Sequence, residues 1–591
     1  MLSRRAIVSI SSKRGLLSPS SRVLAHAKRP LGCCHQQQQW KSTLSLDNAQ
    51  NHQLHNSETK IQPKKKLPVP DFSDAKAAYE TKTTMELVRA MTVFQLCRIP
   101  ILVKHSEMLL GLSRKVLGAT ISDAMLKASL FGHFCGGENE EQMRPVLKQL
   151  QSSGIGSILD YAAEDDGSGS ASNESDSADT TTTPVVETVD QVFQDAIPKA
   201  RMYDYESEHQ CDRHVETFKK CIRSVKNLDA DGFAAIKVTA LGNPKLLEKM
   251  SRALREVKNL YSKFDADQDG FISRAEFEQG YKFFFRDDVE TDLDEMYEVL
   301  DPNHTGRVDF ITWSMMLKPM DLPKITAKCR QIGPLSLVSP TEEEVELMEA
   351  MFNRGHELAK EASECGTRLL IDAEQYRFQP AIDNLVLDLE RNYNAVDKTD
   401  KPIIYNTYQC YLKDTAERLK TDMERSERHS FHFGAKLVRG AYMEGERALA
   451  ESLDYPSPIH DTIEDTHACY NDSVDFLLRQ SVEAVDDRKV ELMLASHNQG
   501  SIEKAIQTMD ELDIDPQSST ISFAQLYGMQ DMLTYNLGQN GFRAYKYVPY
   551  GEVGEVMPYL IRRANENSAI AGGAAKELWM IRTELKRRMF G

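Results

Sequence analysis

The chain is 591 residues long, 41% hydrophobic and 27% charged, with a formal charge of -17. That composition supplies a sizeable core and excludes wholesale disorder. The acidic balance excludes general nucleic-acid affinity, and no apolar run reaches the length of a spanning helix: VFQLCRIPILV is short and contains Arg98.

The N-terminus departs from this balance. Residues 1–46 hold Arg4, Arg5, Lys13, Arg14, Arg22, Lys28, Arg29 and Lys41, and no acidic residue precedes Asp47. A serine- and arginine-rich start without acids has the composition of a mitochondrial transit peptide. The ten cysteines form no C-x-x-C pair, and the adjacent Cys33 and Cys34 lie inside that start. Neither a disulfide framework nor a zinc site is supported, and buried reduced thiols are expected.

Beyond the polar tether KIQPKKKLPVPDF, residues 75–163 show helical periodicity and predict a helical lead-in. Residues 164–184, EDDGSGSASNESDSADTTTTP, are acidic, Ser/Thr-rich and almost free of apolar side chains, which predicts a disordered linker. From residue 200 to 591, short apolar runs recur, most of them separated by amphipathic stretches: ARMYDYE, FAAIKVTAL, RLLIDAE, PIIYNTYQ, HFGAKLVRGA, VELMLASHN, TISFAQL and AYKYVPYG. About eight strands alternating with helices predict an α/β fold, a (β/α)8 TIM-type barrel with an N-terminal helical region. A doubly wound open sheet is the competitor, but no G-x-G-x-x-G turn follows the first strand. Barrel chemistry sits at the C-terminal strand ends, where Lys237, Asp372, Gln409, Arg439, His497, Asn498 and Tyr547 fall. Strand-end residues meeting solvent are the alternative for each.

Between the second and third strands, residues 250–320 are too long for a βα connection and contain DADQDGFISRAE, a complete EF-hand loop. Asp265, Asp267 and Asp269 offer side-chain oxygens, Gly270 the sharp turn, Phe271 a carbonyl, Ser273 the ninth position and Glu276 a bidentate carboxylate for Ca2+. The following DPNHTGRVDFIT keeps Asp301, Asn303, Thr305, Gly306 and Asp309 in register but has Thr312 in place of the glutamate. An all-α EF-hand pair, with weak or no calcium at the second loop, is expected.

Near the end, PYLIRRANENSAIAGG places Tyr559, Arg562, Arg563 and Glu566 at helical spacings of three and four. One reading is a solvated face with Glu566 paired to Arg562 at i,i+4. The other is a clamp in which two planar guanidinium forks grip a carboxylate.

GAKLVRGAY, ASHN, FAQLYGM and YVPYGEVGEVMPYLIRRANEN, in that order, resemble the proline dehydrogenase family from about residue 200 to the C-terminus, interrupted by the EF-hand segment. The resemblance implies a distorted barrel seating FAD on its C-terminal face, with the last motif's helix as one wall of a pocket for L-proline. Arg562, Arg563 and Lys237 would bind the proline carboxylate, Tyr547, Tyr559 and Leu526 would shape the ring pocket, and Asp372 and Tyr442 would belong to the same polar shell. Lys436 would neighbour the reactive flavin nitrogen, in a place where bacterial relatives often have arginine. Gln409, Arg439, His497 and Asn498 would line the flavin or its phosphates, and Glu566 would contact cofactor and arginine alike. Mitochondrial members pass electrons to quinone at the inner membrane of the mitochondrion, facing the matrix. Peripheral association could come from the helical lead-in or the basic tail IRTELKRRMFG. Two alternatives stand: a hydroxyproline-preferring enzyme, in which a small residue tends to replace the tyrosine at 547, and a calcium-binding scaffold on an inactive barrel.

Overall fold

The computed structural model describes residues 67–162, 203, 205–286, 292–301, 304–484, 487–569 and 573–591. The expected transit peptide and linker, residues 1–46 and 164–184, lie outside these.

Eight parallel strands close a barrel in the order β1 (Ile155–Tyr161), β2 (Phe233–Ile236), β5 (Arg368–Ile371), β6 (Ile404–Gln409), β7 (Phe433–Val438), β8 (Val490–Ala495), β9 (Ile521–Leu526), β10 (Ala544–Tyr550) and back to β1. The first barrel strand is therefore Ile155–Tyr161, inside the stretch expected to be wholly helical, and not the ARMYDYE run at 200–206. The helix Glu140–Ser152 ends only two residues earlier, and the turn between them uses Gly154 at φ +69°. Of the 200–206 run, the described residues 203, 205 and 206 lie outside any strand. Tyr203 packs instead on Phe218 and His214 and donates from its hydroxyl to the Tyr161 carbonyl at 3.2 Å. Its aromatic character serves a helix packed on the barrel rather than a strand within it.

The strands alternate two buried faces, as a helix-wrapped parallel barrel requires. Ile158, Phe233, Ala235, Leu370, Tyr405, Met493, Ala524 and Tyr545 form one cluster, while Leu159, Ala234, Ile236, Leu369, Ile371, Leu437 and Val548 join the larger core with the helices. Gly156 makes the seam between β1 and β10 possible, because a Cβ there would lie 2.4 Å from the Tyr545 ring.

The lead-in closes one side of the barrel with charge as well as apolar contact. Helix Thr84–Cys97 starts in a capping box between Thr83 and Glu86 and packs on the C-terminal helix Gly573–Phe590. Beside it, Asp531 is buried between Lys82 and Lys546, the latter at 2.8 Å. Lys546 also donates to the carbonyls of Leu526 and Met529 at 3.2 and 2.6 Å. Glu577 of the C-terminal helix accepts from the backbone N–H groups of Gln530 and Asp531 at 2.9 and 3.0 Å.

Between β2 and β5 the chain makes two helix–loop–helix units. The first joins Pro244–Phe264 to Arg274–Phe284, and the second joins Asp292–Leu300 to Phe310–Met316. Their loops pair through β3 (Ile272–Ser273) and β4 (Arg307–Val308), antiparallel, with Ile272 opposite Val308. An aromatic core of Tyr261, Phe264, Phe277, Tyr281 and Trp313 fills the space between the helices.

Replacing Asp531 by alanine strands two buried cations at the junction of lead-in, barrel and C-terminal helix. The expected loss is about 3–5 kcal/mol of unfolding free energy, read by denaturant unfolding against the wild-type chain.

Candidate active site at the barrel mouth

The C-terminal ends of the strands gather a connected set of charges. Asp372, one residue past β5, accepts from Lys436 of β7 at 2.5 Å and from the Tyr547 hydroxyl of β10 at 3.0 Å. Lys237, one residue past β2, lies 3.7 Å from Asp160 of β1. Burial by itself pushes the Asp372 carboxyl up, but Lys436 and then Lys237, with hydrogen bonds from Lys436 and Tyr547, outweigh it and hold the group below the ordinary carboxylate range. Lys436 also lies 5.9 Å from the Tyr547 ring centre.

The helix Met557–Ala569 follows β10 directly and brings the last motif to this mouth. Tyr559, Arg562 and Arg563 are 4%, 8% and 4% exposed, so the solvated-face reading does not hold. Within the motif Arg563 pairs with Glu566 at 2.6 Å, i to i+3. Both guanidiniums approach the Tyr559 ring, at 6.0 Å for Arg562 and 5.0 Å for Arg563. The Tyr559 hydroxyl and Arg563 Nε are buried with no hydrogen-bond partner among the described residues. Open, buried donors beside two guanidiniums suit an anionic group. The helix is held by an apolar cluster in which Tyr559 and Ile561 meet Val103, Phe134 and Met529, with Leu526 packed against it.

The remaining candidates occupy the same rim in separate hydrogen-bonding groups. His497 follows β8 by two residues, and its Nε2 accepts from the Leu526 backbone N–H at 3.1 Å. Burial, then the charges of Lys546 and Arg563, push its pKa down to about 3, so the imidazole is neutral at physiological pH. Arg439 donates to Ser496 and Ser501 at 2.6 and 2.9 Å and to His467 at 3.1 Å, and lies 4.3 Å from the Tyr470 ring centre. Asn498 caps the helix Gln499–Glu511 by accepting from the Ser501 N–H at 3.0 Å. Gln409 is buried between the Glu374 carbonyl at 2.8 Å and the Tyr411 hydroxyl at 2.9 Å. Tyr442 is buried ahead of the helix Met443–Ser452.

In the first helix–loop–helix unit, the carboxylates of Asp265, Asp267 and Asp269 lie within 4.8 Å of one another. Asp265 is 8% exposed, and its Oδ1 is buried without a hydrogen-bond partner among the described residues. Gly270 takes φ +88°, its carbonyl accepts from Tyr261 at 2.6 Å, and Phe271 donates its N–H to Asp269 at 2.9 Å. Glu276 accepts from the Ala266 N–H at 3.0 Å and from Ser273 at 2.8 Å. In the second loop, Asp309 accepts from the Thr312 N–H at 2.9 Å and pairs with Arg428 of the barrel helix Thr415–Arg428. Its carboxylate is engaged in docking. Among the described residues no second acidic cluster forms there.

Two residues of the mouth escaped sequence reasoning. Asp160 was hidden with its strand. Glu374 is fully buried, accepts from the Thr239 N–H and hydroxyl at 3.0 and 2.6 Å, and has a pKa raised to about 7, chiefly by burial. It was visible only as the end of RLLIDAE, where nothing marks it as buried. Because its folded pKa is raised, Glu374 favours the fold below the ordinary glutamate pKa and loses that contribution as pH rises through about 7. Relative to Glu374→Gln, the wild-type unfolding free energy should therefore fall by about 3 kcal/mol between pH 4.5 and 7, measured by denaturant unfolding at each pH.

Comparison with known proteins shows the family of the chain. The family model described as proline dehydrogenase matches residues 143–576. The chain is 36% identical over 562 residues to mitochondrial proline dehydrogenase 1 of Homo sapiens, covering 90% of this chain and 92% of the relative. It is 30% identical over 514 residues to hydroxyproline dehydrogenase of Rattus norvegicus, covering 87% and 93%. Among solved structures, proline utilization A from Bdellovibrio bacteriovorus aligns with a TM-score of 0.49 at 15% identity, covering 86% of this chain and 39% of that longer one. The family model and the full-length relatives agree, and the chain belongs to the proline dehydrogenase family.

Proposed function

We propose that the chain oxidises L-proline to 1-pyrroline-5-carboxylate with FAD as its resident cofactor, passing the electrons on to quinone. The observation that carries this reading is the buried arginine pair, Arg562 and Arg563, facing a barrel mouth that holds Lys237, Lys436, Asp372 and Tyr547. FAD would supply the acceptor for the hydride leaving the ring carbon of proline. Lys436, Gln409, Arg439, His497, Asn498 and Glu566 are the residues that would hold it, and the cationic members suit its phosphates and its reduced, anionic ring.

The chain's own part is position and charge. Arg562, Arg563 and Lys237 neutralise the substrate carboxylate and fix the ring. Tyr547, Tyr559 and Leu526 wall the apolar face of the pocket, and Tyr442 belongs to its polar shell. Asp372, held ionised between its lysines, anchors the Tyr547 hydroxyl. That tyrosine occupies the space a ring hydroxyl would need, which favours proline over hydroxyproline. The relatives named mitochondrial support a mitochondrial location, with association at the matrix face of the inner membrane.

The test is the visible spectrum of the purified protein without oxygen. A flavin band bleached by L-proline and bleached far more slowly by hydroxyproline is expected, with Arg563→Met raising the half-saturating proline concentration by at least about 100-fold. No flavin after reconstitution with FAD would overturn the reading.

We also infer that the first loop is an EF-hand site for one calcium ion, bound by Asp265, Asp267, Asp269, the Phe271 carbonyl, Ser273 and Glu276. Asp265, buried with an open oxygen, supports it. The helix Pro244–Phe264 begins seven residues after Lys237 and ends against Asp265, which offers a route for calcium to modulate the mouth. Calorimetric titration should show one site, weakened at least about tenfold by Asp265→Asn. Equal turnover in chelated and calcium-loaded enzyme would remove the modulation.

A further inference from the structure

Residues 99–128 form three consecutive helices, Pro100–Lys104, Ser106–Leu117 and Ala119–Ala128, the last two packed as a hairpin around Gly118 at φ +83°. Ser113 and Ser122 hydrogen-bond at 2.8 Å and Arg114 pairs with Asp123 at 2.8 Å across it. The first of these helices packs on Met557–Ala569, with Val103 in the same apolar cluster as Tyr559 and Ile561. The inner side of the segment is thus tied to the helix that carries the arginine pair.

Its outer side is apolar. Ile101, Met108, Leu112, Val116, Ile121 and Met125 are each between 55% and 71% exposed. Met108, Leu112 and Val116 recur every four residues along one helix, as do Ile121 and Met125 along its partner, so the exposure forms rows on two packed helices rather than scattered single residues. The charge of the segment is opposite to that of the chain. Residues 96–128 hold Arg98, Lys104, Arg114, Lys115 and Lys127 against Glu107 and Asp123, in a protein of net charge -17.

We propose that this hairpin docks on a bilayer surface rich in anionic lipids, its apolar rows entering the headgroup and acyl boundary while Lys104 and Lys115 reach the phosphates; Lys127 is paired with Glu138 at 2.6 Å. Apolar rows bordered by cations are the pattern of an interfacial helix, and lysine stems can lie along the apolar surface with their ammonium groups at the headgroups. A second copy of the chain would bring like charges together on the same face. No helix among the described residues is long and apolar enough to cross a membrane, so the contact is peripheral. The docking gives the proposed membrane association a location, and rests on that reading for its purpose: it sets the helix bearing Arg562 and Arg563 beside the phase in which quinone dissolves.

The test sediments the full chain with vesicles of phosphatidylcholine alone, and of two parts phosphatidylcholine to one part phosphatidylglycerol. The wild type should sediment with the anionic vesicles, less so at high salt. L112E/V116E should bind at least about tenfold more weakly, with thermal unfolding and proline turnover to a water-soluble dye unchanged. Should that variant unfold early, K104E/K115E reads the same surface through charge and should lose the salt-sensitive part of binding. The proposal is overturned if the wild type stays in the supernatant, or if the variants bind as the wild type does, which would assign binding to another region such as the basic residues 1–66. It is equally overturned if light scattering finds a dimer that L112E/V116E splits, since a second copy would then cover the hairpin. Absence of proline turnover in the wild type would instead fail the proposed reaction and leave vesicle binding to decide the docking.

Discussion

The pairing of β1 with β10 is the constraint on which the site depends. It joins Ile155–Tyr161 to Ala544–Tyr550 in one parallel register, segments nearly four hundred residues apart. Closing so long a loop costs entropy that local contacts cannot return, so the seam has to be favourable through burial and fit. Gly156 accepts the Tyr545 ring, and Ile158 sits opposite Tyr547. Once the seam is made, strand alternation sends Tyr547 toward Asp372 and Lys546 toward Asp531. The helix that follows β10 is left over the mouth, bringing its arginines with it.

The mouth concentrates charge where a core would prefer none. Lys237, Lys436, Arg562 and Arg563 are buried with Asp160 and Asp372 close by, and Glu566 pairs with Arg563. Removing such groups from water is costly, and their mutual attraction offsets much of that cost only where the geometry is close. The lysines meet this condition through Asp372, whose ionised form they sustain. Glu374 lies nearby, where the Thr239 hydrogen bonds and the Lys237 charge do not offset its burial, and its pKa is raised instead. Two carboxyls two residues apart at one strand end are therefore shifted in opposite directions, because Lys436 hydrogen-bonds one and Thr239 the other.

What the sequence made legible was what local spacing encodes. The three carboxylates gathered in the first loop, Asp265, Asp267 and Asp269, lie within five consecutive residues, and Tyr559, Arg562 and Arg563 share a face by helical period alone. Strand-end polar residues followed from the alternation of apolar runs with helices. β1 was illegible because it begins next to a helix and a left-handed Gly154, and gives Gly156 and Ser157 where β-branched residues would have marked it. Asp160 went with it. Glu374 was illegible for another reason: its partner Thr239 is 135 residues away, and burial is a property of the assembled barrel.

The two inserted loops divide their work. The first keeps its acidic oxygens gathered, with Asp265 at the end of a helix whose other end opens beside the strand of Lys237. The second has Thr312 where a bidentate acid would stand, and it gives Asp309 to Arg428, while Arg425 donates to Ser314 at 2.9 Å. Those arginines belong to the helix Thr415–Arg428, and at its opposite end Thr415 donates to the Gln409 carbonyl at 2.6 Å. The antiparallel β3–β4 pair joins the loops to each other. The insertion is thus fastened to the barrel through its second loop, and its first helix adds contacts of its own, Arg255 donating to the Tyr376 carbonyl at 2.9 Å and Lys258 pairing with Glu417 at 3.0 Å. A displacement of the first loop cannot be absorbed by the linker to β2 alone, because the second loop is held against the helix after β6. Those several attachments are what distinguish an insertion built into the barrel from a module appended to it.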